Sequence, residues 1–107
     1  MLLDKDMTEL ILYPPRRQES SFLIPTSLIT LAPYIFSGAE KLENINVEEG
    51  HSLYSSMDGV LYNKDKTKLI SYPEGRPATS YEIPNNTVKI GEYAFSGDKN
   101  LKSIRFQ

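Results

Sequence analysis

Residues 83–104 read IPNNTVKIGEYAFSGDKNLKSI, and the same pattern stands 59 positions earlier, where residues 24–45 read IPTSLITLAPYIFSGAEKLENI. Extended outward, the match pairs Leu2–Glu48 with Leu61–Gln107 without a gap, and 18 of the 47 aligned pairs are identical. Self-similarity at a fixed period is the signature of a repeat array in which each unit stacks on the next. The sequence therefore predicts one repeat domain over residues 1–107, built from about two copies (2–48 and 61–107) of a 59-residue unit.

A shorter period of 23 residues lies inside each copy. Apolar side chains two positions apart point to the same face of a strand, and this alternation is centred on Phe22, Ile45, Tyr81 and Ile104. The spacings are 23, 36 and 23 residues, so the middle step holds 13 extra residues. No stretch carries a long apolar pattern of helical period, so we expect short helical turns, as at Ala94–Phe95, and no long helix.

The extra residues predict a β-hairpin insert. Val60–Tyr62 and Lys68–Tyr72 are short runs rich in β-branched and aromatic residues, and the polar run Asn63–Thr67 between them is prone to turn. This arrangement favours two antiparallel strands with a five-residue loop. The first copy repeats this arrangement, with strands at Leu2–Leu3 and Glu9–Tyr13 and the loop Asp4–Thr8 between them.

The repeated apolar positions predict the core. Seven Tyr and four Phe would suit either a sugar-stacking surface or a core, and their recurrence at matching phase favours the core. We expect burial of the pairs Phe36/Phe95, Leu42/Leu101, Ile45/Ile104, Tyr34/Tyr93 and Tyr13/Tyr72. The run Tyr13–Arg17 suits a polyproline-type ligand or a strand-ending turn, and Tyr72–Pro73 favours the turn because it lacks the basic pair.

Composition excludes several classes of function. Twelve Lys/Arg against 14 Asp/Glu leave a net charge of −2 with no block of one sign, which predicts no nucleic-acid partner. The longest apolar runs of four to five residues are too short to insert in a membrane, and Met1–Asp6 is too short and acidic for a signal peptide. Without Cys there is no disulfide and no thiolate metal site, and the compartment stays open.

No residue pattern points to catalysis. His51 is the one histidine, so a metal site or a catalytic triad would depend on it, and we interpret it as an incidental loop residue. Asp4 with Asp6, and Asn63 with Asp65, lack the glycine and the distal glutamate of a calcium loop, which favours hairpin-turn chemistry. With no nucleophile elbow and no phosphate-binding loop, we predict no enzyme, no catalytic residue, no metal and no cofactor.

The residues Ile83, Pro84, Val88, Ile90, Gly91, Ala94, Phe95, Leu101 and Ile104 together resemble the BspA-like class of leucine-rich repeats of bacterial surface proteins. Asp58–Asn63 resembles the hairpin insert that recurs between such repeats. Where that family often has Cys after its Ala-Phe pair, this chain has Ala39 and Asp98. The resemblance implies a leucine-rich-repeat horseshoe with a parallel sheet, an extracellular or cell-surface location, and a role in adhesion. It brings no catalytic residues.

The predicted strands define a candidate binding face. If the strand centres face the core, their neighbours face outward on the concave side of the sheet. The predicted outward rows are Ser21, Asn44, Ser80 and Ser103, and next to them Leu23, Asn46, Glu82 and Arg105. The rows hold no aromatic residue, so they suit a protein partner better than a sugar. Glu82 and Arg105 either pair with each other or take part in recognition.

Three functions remain open at this stage. The first is a non-enzymatic protein-interaction or adhesion module with a host or matrix protein as partner; the others are a carbohydrate-binding module and an architectural spacer. Neither end has an atypical capping unit, although solenoids cap their terminal cores. We therefore expect a segment of a longer array, or self-association through the open edge at Leu101–Phe106.

Overall fold

The chain folds into a β-solenoid without helices in its described part. The computed structural model describes residues 2–6, 8–14, 17–31, 35–91, 94–95 and 97–107, and these form a body of 40 × 29 × 21 Å. The strands are β1 (Leu2–Leu3), β2 (Glu9–Leu12), β3 (Ser21–Ile24), β4 (Thr30–Leu31), β5 (Asn44–Val47), β6 (Tyr54–Met57), β7 (Val60–Asn63), β8 (Lys68–Ser71), β9 (Ser80–Ile83), β10 (Lys89–Ile90) and β11 (Ser103–Phe106). The predicted repeat solenoid is confirmed, and each of the four predicted strand centres lies inside a strand.

The register of strand pairing repeats together with the sequence. β2 pairs in parallel with β4, and β8 pairs in parallel with β10. The pair Glu9↔Thr30 of the first copy recurs 59 positions later as the pair Lys68↔Lys89 of the second. β3 pairs in parallel with β5, and β9 with β11, again with equivalent partners. Single turns closed by backbone bonds, such as Ala94 N to Gly91 O at 3.1 Å, stand where short helical turns were predicted. The two copies are therefore structural as well as sequence repeats.

The hairpin of the second copy is longer than predicted. β7 and β8 are antiparallel, as expected, but β7 also pairs with β6 on its other side. The turn between β6 and β7 is Asp58–Gly59, and both residues have positive φ, 56° and 81°. Positive φ at both central positions is the requirement of a type I′ hairpin, for which Asp-Gly is a preferred pair. The added strand gives the second copy a four-stranded sheet in the order β10-β8-β7-β6.

This longer hairpin corrects the expected continuous parallel sheet. β3–β5 and β9–β11 are separate two-stranded sheets, and no ladder joins β5 to β9. The Asp58–Gly59 turn occupies the edge of β5 that is not paired with β3. There the Ile45 amide donates a hydrogen bond of 2.7 Å to the Gly59 carbonyl oxygen. The hairpin tip therefore interrupts the face on which four strands were expected to lie side by side.

Each copy has its own apolar core, and the second copy contributes to the first. One cluster joins Leu10, Tyr13, Ile24, Leu28, Phe36, Ala39, Leu42, Ile45 and Leu61; the other joins Val60, Tyr62, Leu69, Tyr72, Tyr81, Ile83 and Ala94. In both, the tyrosine that follows the hairpin packs against the repeated phenylalanine, with ring centroids 5.1 Å apart in Tyr13–Phe36 and 5.2 Å apart in Tyr72–Phe95. Tyr34 and Tyr93 lie outside the described residues.

The expected burial holds in the first copy and is wrong at the end of the second. Phe36, Leu42 and Ile45 are buried, whereas Phe95 and Leu101 are half-buried. Ile104 is 43% exposed. The difference has a simple cause: Leu61 and the hairpin tip cover Ile45, and none of the described strands lies over β11 on the equivalent side.

Candidate interaction surface

The structure brings the predicted surface residues together in pairs. Ser21 lies beside Asn44 and Leu23 beside Asn46 on β3–β5, while Ser80 lies beside Ser103 and Glu82 beside Arg105 on β9–β11. All of them are exposed except Asn44, which is half-buried. On β3, β5 and β9 the alternate residues point inward, as the buried Ile24, Ile45 and Ile83 show, whereas Ile104 and Phe106 on β11 are exposed as well. The outward orientation predicted for these residues therefore agrees with the structure. They form two separate strips, one on β3–β5 (Ser21, Leu23, Asn44 and Asn46) and one on β9–β11 (Ser80, Glu82, Ser103 and Arg105), and not one continuous face.

The gap between the two strips is a shallow cleft. It is lined by Glu43 and Asn44 on one side and by Arg76, Pro77 and Ala78 on the other. The Asp58–Gly59 turn closes it, and a Cβ added to Gly59 would overlap the Asn44 side-chain oxygen. Asn44 is half-buried for this reason. The cleft thus holds charged and polar groups, from Glu43, Asn44 and Arg76, between the two strips.

Arg76 fixes the position of the hairpin tip next to this cleft. Its guanidinium carbon lies 5.6 Å from the ring centroid of Tyr72 and 5.9 Å from that of Tyr81, within cation–π range. Its Nη1 donates to the Asp58 carbonyl. A guanidinium held in this way acts as a structural tie between the hairpin and the second core.

Sequence reasoning missed this role of Arg76, although a signal was present. Arg17 and Arg76 are one of the identical pairs in the 59-residue alignment, and Arg17 lies 5.7 Å from the Tyr13 ring centroid. The repeated feature is thus a tyrosine with an arginine four positions later, packed on its ring. This agrees with the interpretation of the run Tyr13–Arg17 as a strand-ending turn. Pro15 and Arg16 of that run lie outside the described residues.

The charges on the strips have no partners within the described chain. Glu82 and Arg105 lie in register on neighbouring strands, yet no ion pair within 4 Å joins them. The ion pairs among the described residues are Arg17–Glu19 at 2.9 Å and Lys99–Glu40 at 2.8 Å, both away from the strips. The strips therefore present one acid and one base that are available to a partner.

The tyrosines of the second core are turned away from the surface. The hydroxyl groups of Tyr62 and Tyr81 hydrogen-bond to each other inside it. Burial raises the pKa of both phenols, and for Tyr81 the hydrogen bond with Tyr62 adds to the increase. Buried rings of this kind give no stacking platform for a sugar.

His51 is a structural residue and not an incidental one. Its side chain is 1% exposed, and Nε2 lies 2.8 Å from the Leu28 carbonyl oxygen. Nδ1 accepts hydrogen bonds from the amides of Leu53 and Tyr54 at 3.1 and 3.2 Å, which assigns the proton to Nε2. Nε2 therefore joins His51 to the preceding coil, and Nδ1 fixes the turn that leads into β6. The interpretation as a loop residue without a role is wrong.

The hairpin loops follow turn chemistry in both copies. Asp4 Oδ1 accepts a hydrogen bond from the Thr8 amide at 2.7 Å, and its counterpart Asn63 Oδ1 accepts one from the Thr67 amide at 2.9 Å. In both loops the side-chain oxygen accepts from the backbone amide four residues further on and so closes the loop. Within the described ranges, no group of three or more His, Cys, Asp or Glu residues is placed to hold a metal ion. The same part of the chain has no helix that could cross a membrane.

The repeat geometry agrees with a sequence-family comparison. The profile described as "BspA type Leucine rich repeat region (6 copies)" matches residues 17–76 and 71–107. The chain belongs to this family. The expected BspA-type recognition is therefore confirmed. No protein of curated function matches the chain.

Three solved structures of bacterial proteins have a similar fold. The crystal structure of a leucine-rich repeat protein from Eubacterium ventriosum matches with a TM-score of 0.76 and 40% identity, over 80% of this chain and 23% of that one. Pneumococcal vaccine antigen PcpA matches with a TM-score of 0.76 and 35% identity, over 82% and 22%. A leucine-rich cell surface protein from Faecalibacterium prausnitzii matches in fold alone, with a TM-score of 0.60 and 23% identity, over 84% and 30%. The chain thus spans less than a third of each of these structures.

Proposed function

We propose that this chain is a non-enzymatic protein-interaction module of a bacterial cell-surface or secreted protein, with a role in adhesion to a host or matrix protein. The observation that carries the proposal is the pair Glu82 and Arg105, exposed and in register without an ion pair. Charges left unpaired on a rigid strand surface are available for complementary groups of a protein partner, and such complementarity gives specificity. The similarity to a pneumococcal vaccine antigen, at 35% identity, supports the location.

The contact surface in this proposal is made of the two strips and the cleft between them. Leu23 supplies an apolar contact, with 55% of its surface exposed, and Asn46 lies beside it as a hydrogen-bonding group. Glu82 and Arg105 supply charge on the second strip. This mixture suits a protein better than a glycan, because the strips carry no aromatic ring and Tyr81 points into the core.

The experiment measures binding of the purified chain to immobilised extracellular-matrix proteins by biolayer interferometry. The variants are Leu23→Glu, Asn46→Ala, Glu82→Arg and Arg105→Glu, and the control is Lys64→Glu, an exposed charge at a hairpin tip away from the strips. We expect a loss of binding of about tenfold or more for the charge reversals, since a desolvated charge pair is costly to break. The control is expected to bind as the unchanged chain does.

Four results would overturn the proposal or move the site. Unchanged binding by all strip variants with an intact fold would exclude the strips. A loss confined to Lys64→Glu would place the contact at the hairpin tips. Binding to a glycan array without binding to any protein would favour a carbohydrate-binding module, and binding to neither would favour a spacer.

A further inference from the structure

The outer face of strands β8 and β10 carries positive charge in the second copy. Lys68 and Lys89 are paired in register on these neighbouring parallel strands, and both are exposed. Leu69, which follows Lys68, is buried, so strand alternation directs the Lys68 side chain away from the core. Neighbouring strands lie about 4.8 Å apart, so the two ammonium groups share one face of the sheet. The fold therefore places side by side two like charges that are far apart in the sequence.

Lys66 extends this pair into a cluster. The carbonyl of Thr67, which lies between Lys66 and Lys68, accepts hydrogen bonds from the amides of Val88 and Lys89 at 2.8 and 3.1 Å. These bonds hold the hairpin loop against the start of β10. Within the described part of the chain, no acidic side chain forms an ion pair with any of the three lysines. We call Lys66, Lys68 and Lys89 the basic flank.

The equivalent surface of the first copy has the opposite charge. Residues 4–9 and 29–31 hold one Lys against three Asp or Glu, a net charge of −2, whereas residues 63–68 and 88–90 hold four Lys against one Asp, a net charge of +3. Every charge difference makes the second copy more positive; the aligned pairs are Asp4/Asn63, Met7/Lys66, Glu9/Lys68 and Thr30/Lys89. The strand register is the same in both copies, so the fold does not require lysine at these positions.

The exposure of the basic flank belongs to the repeat and does not depend on the ends of the chain. Lys68 lies on β8, which has β7 on one side and β10 on the other. Thr30, the counterpart of Lys89, is exposed although the next coil is stacked behind it, where the Tyr54 hydroxyl donates to the Ile29 carbonyl at 3.4 Å. An equivalent coil behind β10 would therefore leave Lys89 exposed as well.

An exposed apolar side chain lies next to the basic flank. Val88 precedes Lys89 and is 74% exposed, and its counterpart Ile29 is 44% exposed in the first copy. A polyanion such as a sulfated glycan has no apolar group that could cover Val88. A protein segment that has both acidic and apolar residues can cover the valine and neutralise the lysines at the same time. The surroundings of the lysines therefore favour a protein partner.

We propose that the basic flank binds an acidic segment of a protein partner, with a carboxylate between Lys68 and Lys89 and an apolar side chain on Val88. Like charges on neighbouring strands repel each other, and a carboxylate placed between them is attracted by both. The flank lies on a different sheet from the two strips, so this site is additional to the contact surface proposed above. Complementary charges speed association and make it sensitive to salt.

The test measures the fluorescence anisotropy of a short labelled peptide in which glutamates alternate with leucine and serine, mixed with the full chain at low and at physiological salt. The variants are Lys68→Glu and Lys89→Thr, which introduce the residues that the same strand register holds in the first copy. The matched control is Lys102→Glu, because Lys102 is an exposed lysine away from the flank and its counterpart is Glu43. Circular dichroism checks that each variant is folded.

We expect Lys89→Thr to bind the peptide about two- to fivefold more weakly than the unchanged chain, and Lys68→Glu to bind it more weakly still. Lys102→Glu should bind as the unchanged chain does. The double change Glu9→Lys with Thr30→Lys should add a second site, because it gives the first copy the lysine pair of the second.

Three results would overturn the inference. One is the absence of binding by the unchanged chain at low salt. Another is an equal loss in Lys102→Glu and in the flank variants, which would mean attraction by net charge alone. The third is tighter binding of a heparin oligosaccharide than of the peptide, which would assign the flank to an anionic glycan.

Discussion

Lys99 and Glu40 are one full repeat apart in the chain, and their side chains are bonded, with Nζ 2.8 Å from Oε1. The hydrogen bond lowers the pKa of the Glu40 carboxyl and raises that of Lys99. Glu74 joins the same corner, since its Oε2 accepts from the Gly38 amide at 2.5 Å. Equivalent positions therefore stack closely enough for side chains to bridge them. The first copy has Glu at this position and the second copy has Lys. Two glutamates would repel each other at this contact, whereas Glu40 and Lys99 attract.

The hairpin tip at Gly59 should be intolerant of any side chain. Gly59 has a φ of 81°, and a Cβ there would overlap the Asn44 side chain, whereas Gly50 has a φ of 89° and open space around it. Gly50→Ala should therefore lower the free energy of unfolding only by the strain of a left-handed alanine, about 1–2 kcal/mol. Gly59→Ala should lose clearly more, as measured by urea denaturation. Equal losses for the two substitutions would show that the contact with Asn44 carries no energy.

His51 should contribute to stability through its three hydrogen bonds. His51→Ala leaves the Leu28 carbonyl and the amides of Leu53 and Tyr54 without their partner, and each buried unsatisfied group costs about 1–3 kcal/mol. We expect a loss of roughly 2–5 kcal/mol in the free energy of unfolding. Hydrogen exchange should speed up at the Leu53 and Tyr54 amides specifically. Ser52→Ala, next to it and exposed, is the control and should change neither quantity.

The repeated phenylalanines should differ in energy because their burial differs. Phe36 is 5% exposed, whereas Phe95 is half-buried. Phe36→Ala should destabilise by about 3–5 kcal/mol, and Phe95→Ala by less. The comparison is made by denaturant unfolding of both variants. A larger loss at Phe95 would mean that the end of the second copy is covered in solution, for instance by another chain.

Stability should fall at alkaline pH. Burial raises the pKa of Tyr62 and Tyr81 above the value of about 10 expected in the unfolded chain. The folded state then holds its phenolic protons longer than the unfolded state does, so this contribution is complete below about pH 10 and is lost as the pH rises further. Urea denaturation between neutral and strongly alkaline pH measures the slope. Tyr62→Phe removes one of the groups and should flatten it.

The sequence predicts the repeating parts of this fold well, because periodic apolar residues mark buried positions directly. Phe22, Ile45, Tyr81 and Ile104 were placed as strand centres by alternation alone, and all lie in paired strands. β6 escaped prediction because Tyr54–Met57 has no alternating apolar pattern, although the Asp58–Gly59 pair after it is a strong hairpin signal.

What the sequence could not supply are contacts between coils. His51 is buried because the Leu28 carbonyl, 23 residues earlier, is brought to its ring by the stacking of one coil on the next. The outward direction of Leu23 and Glu82 follows from strand alternation. The separation of the two strips depends on the position of the Asp58–Gly59 turn. That position is fixed by the hydrogen bonds from Arg76 to the Asp58 carbonyl and from the Ile45 amide of β5 to the Gly59 carbonyl.

The identical register of the two copies bears on how genes of this kind change length. Every parallel strand pair recurs after 59 residues with equivalent partners. A crossover between aligned codons of the two copies adds or deletes 59 residues, and each junction still joins equivalent positions of the repeat in the same register. An insertion of another size within the strand-bearing part would shift one strand against its partner. Recombination is thus expected to lengthen or shorten the protein in whole units, while single substitutions diversify the exposed side chains.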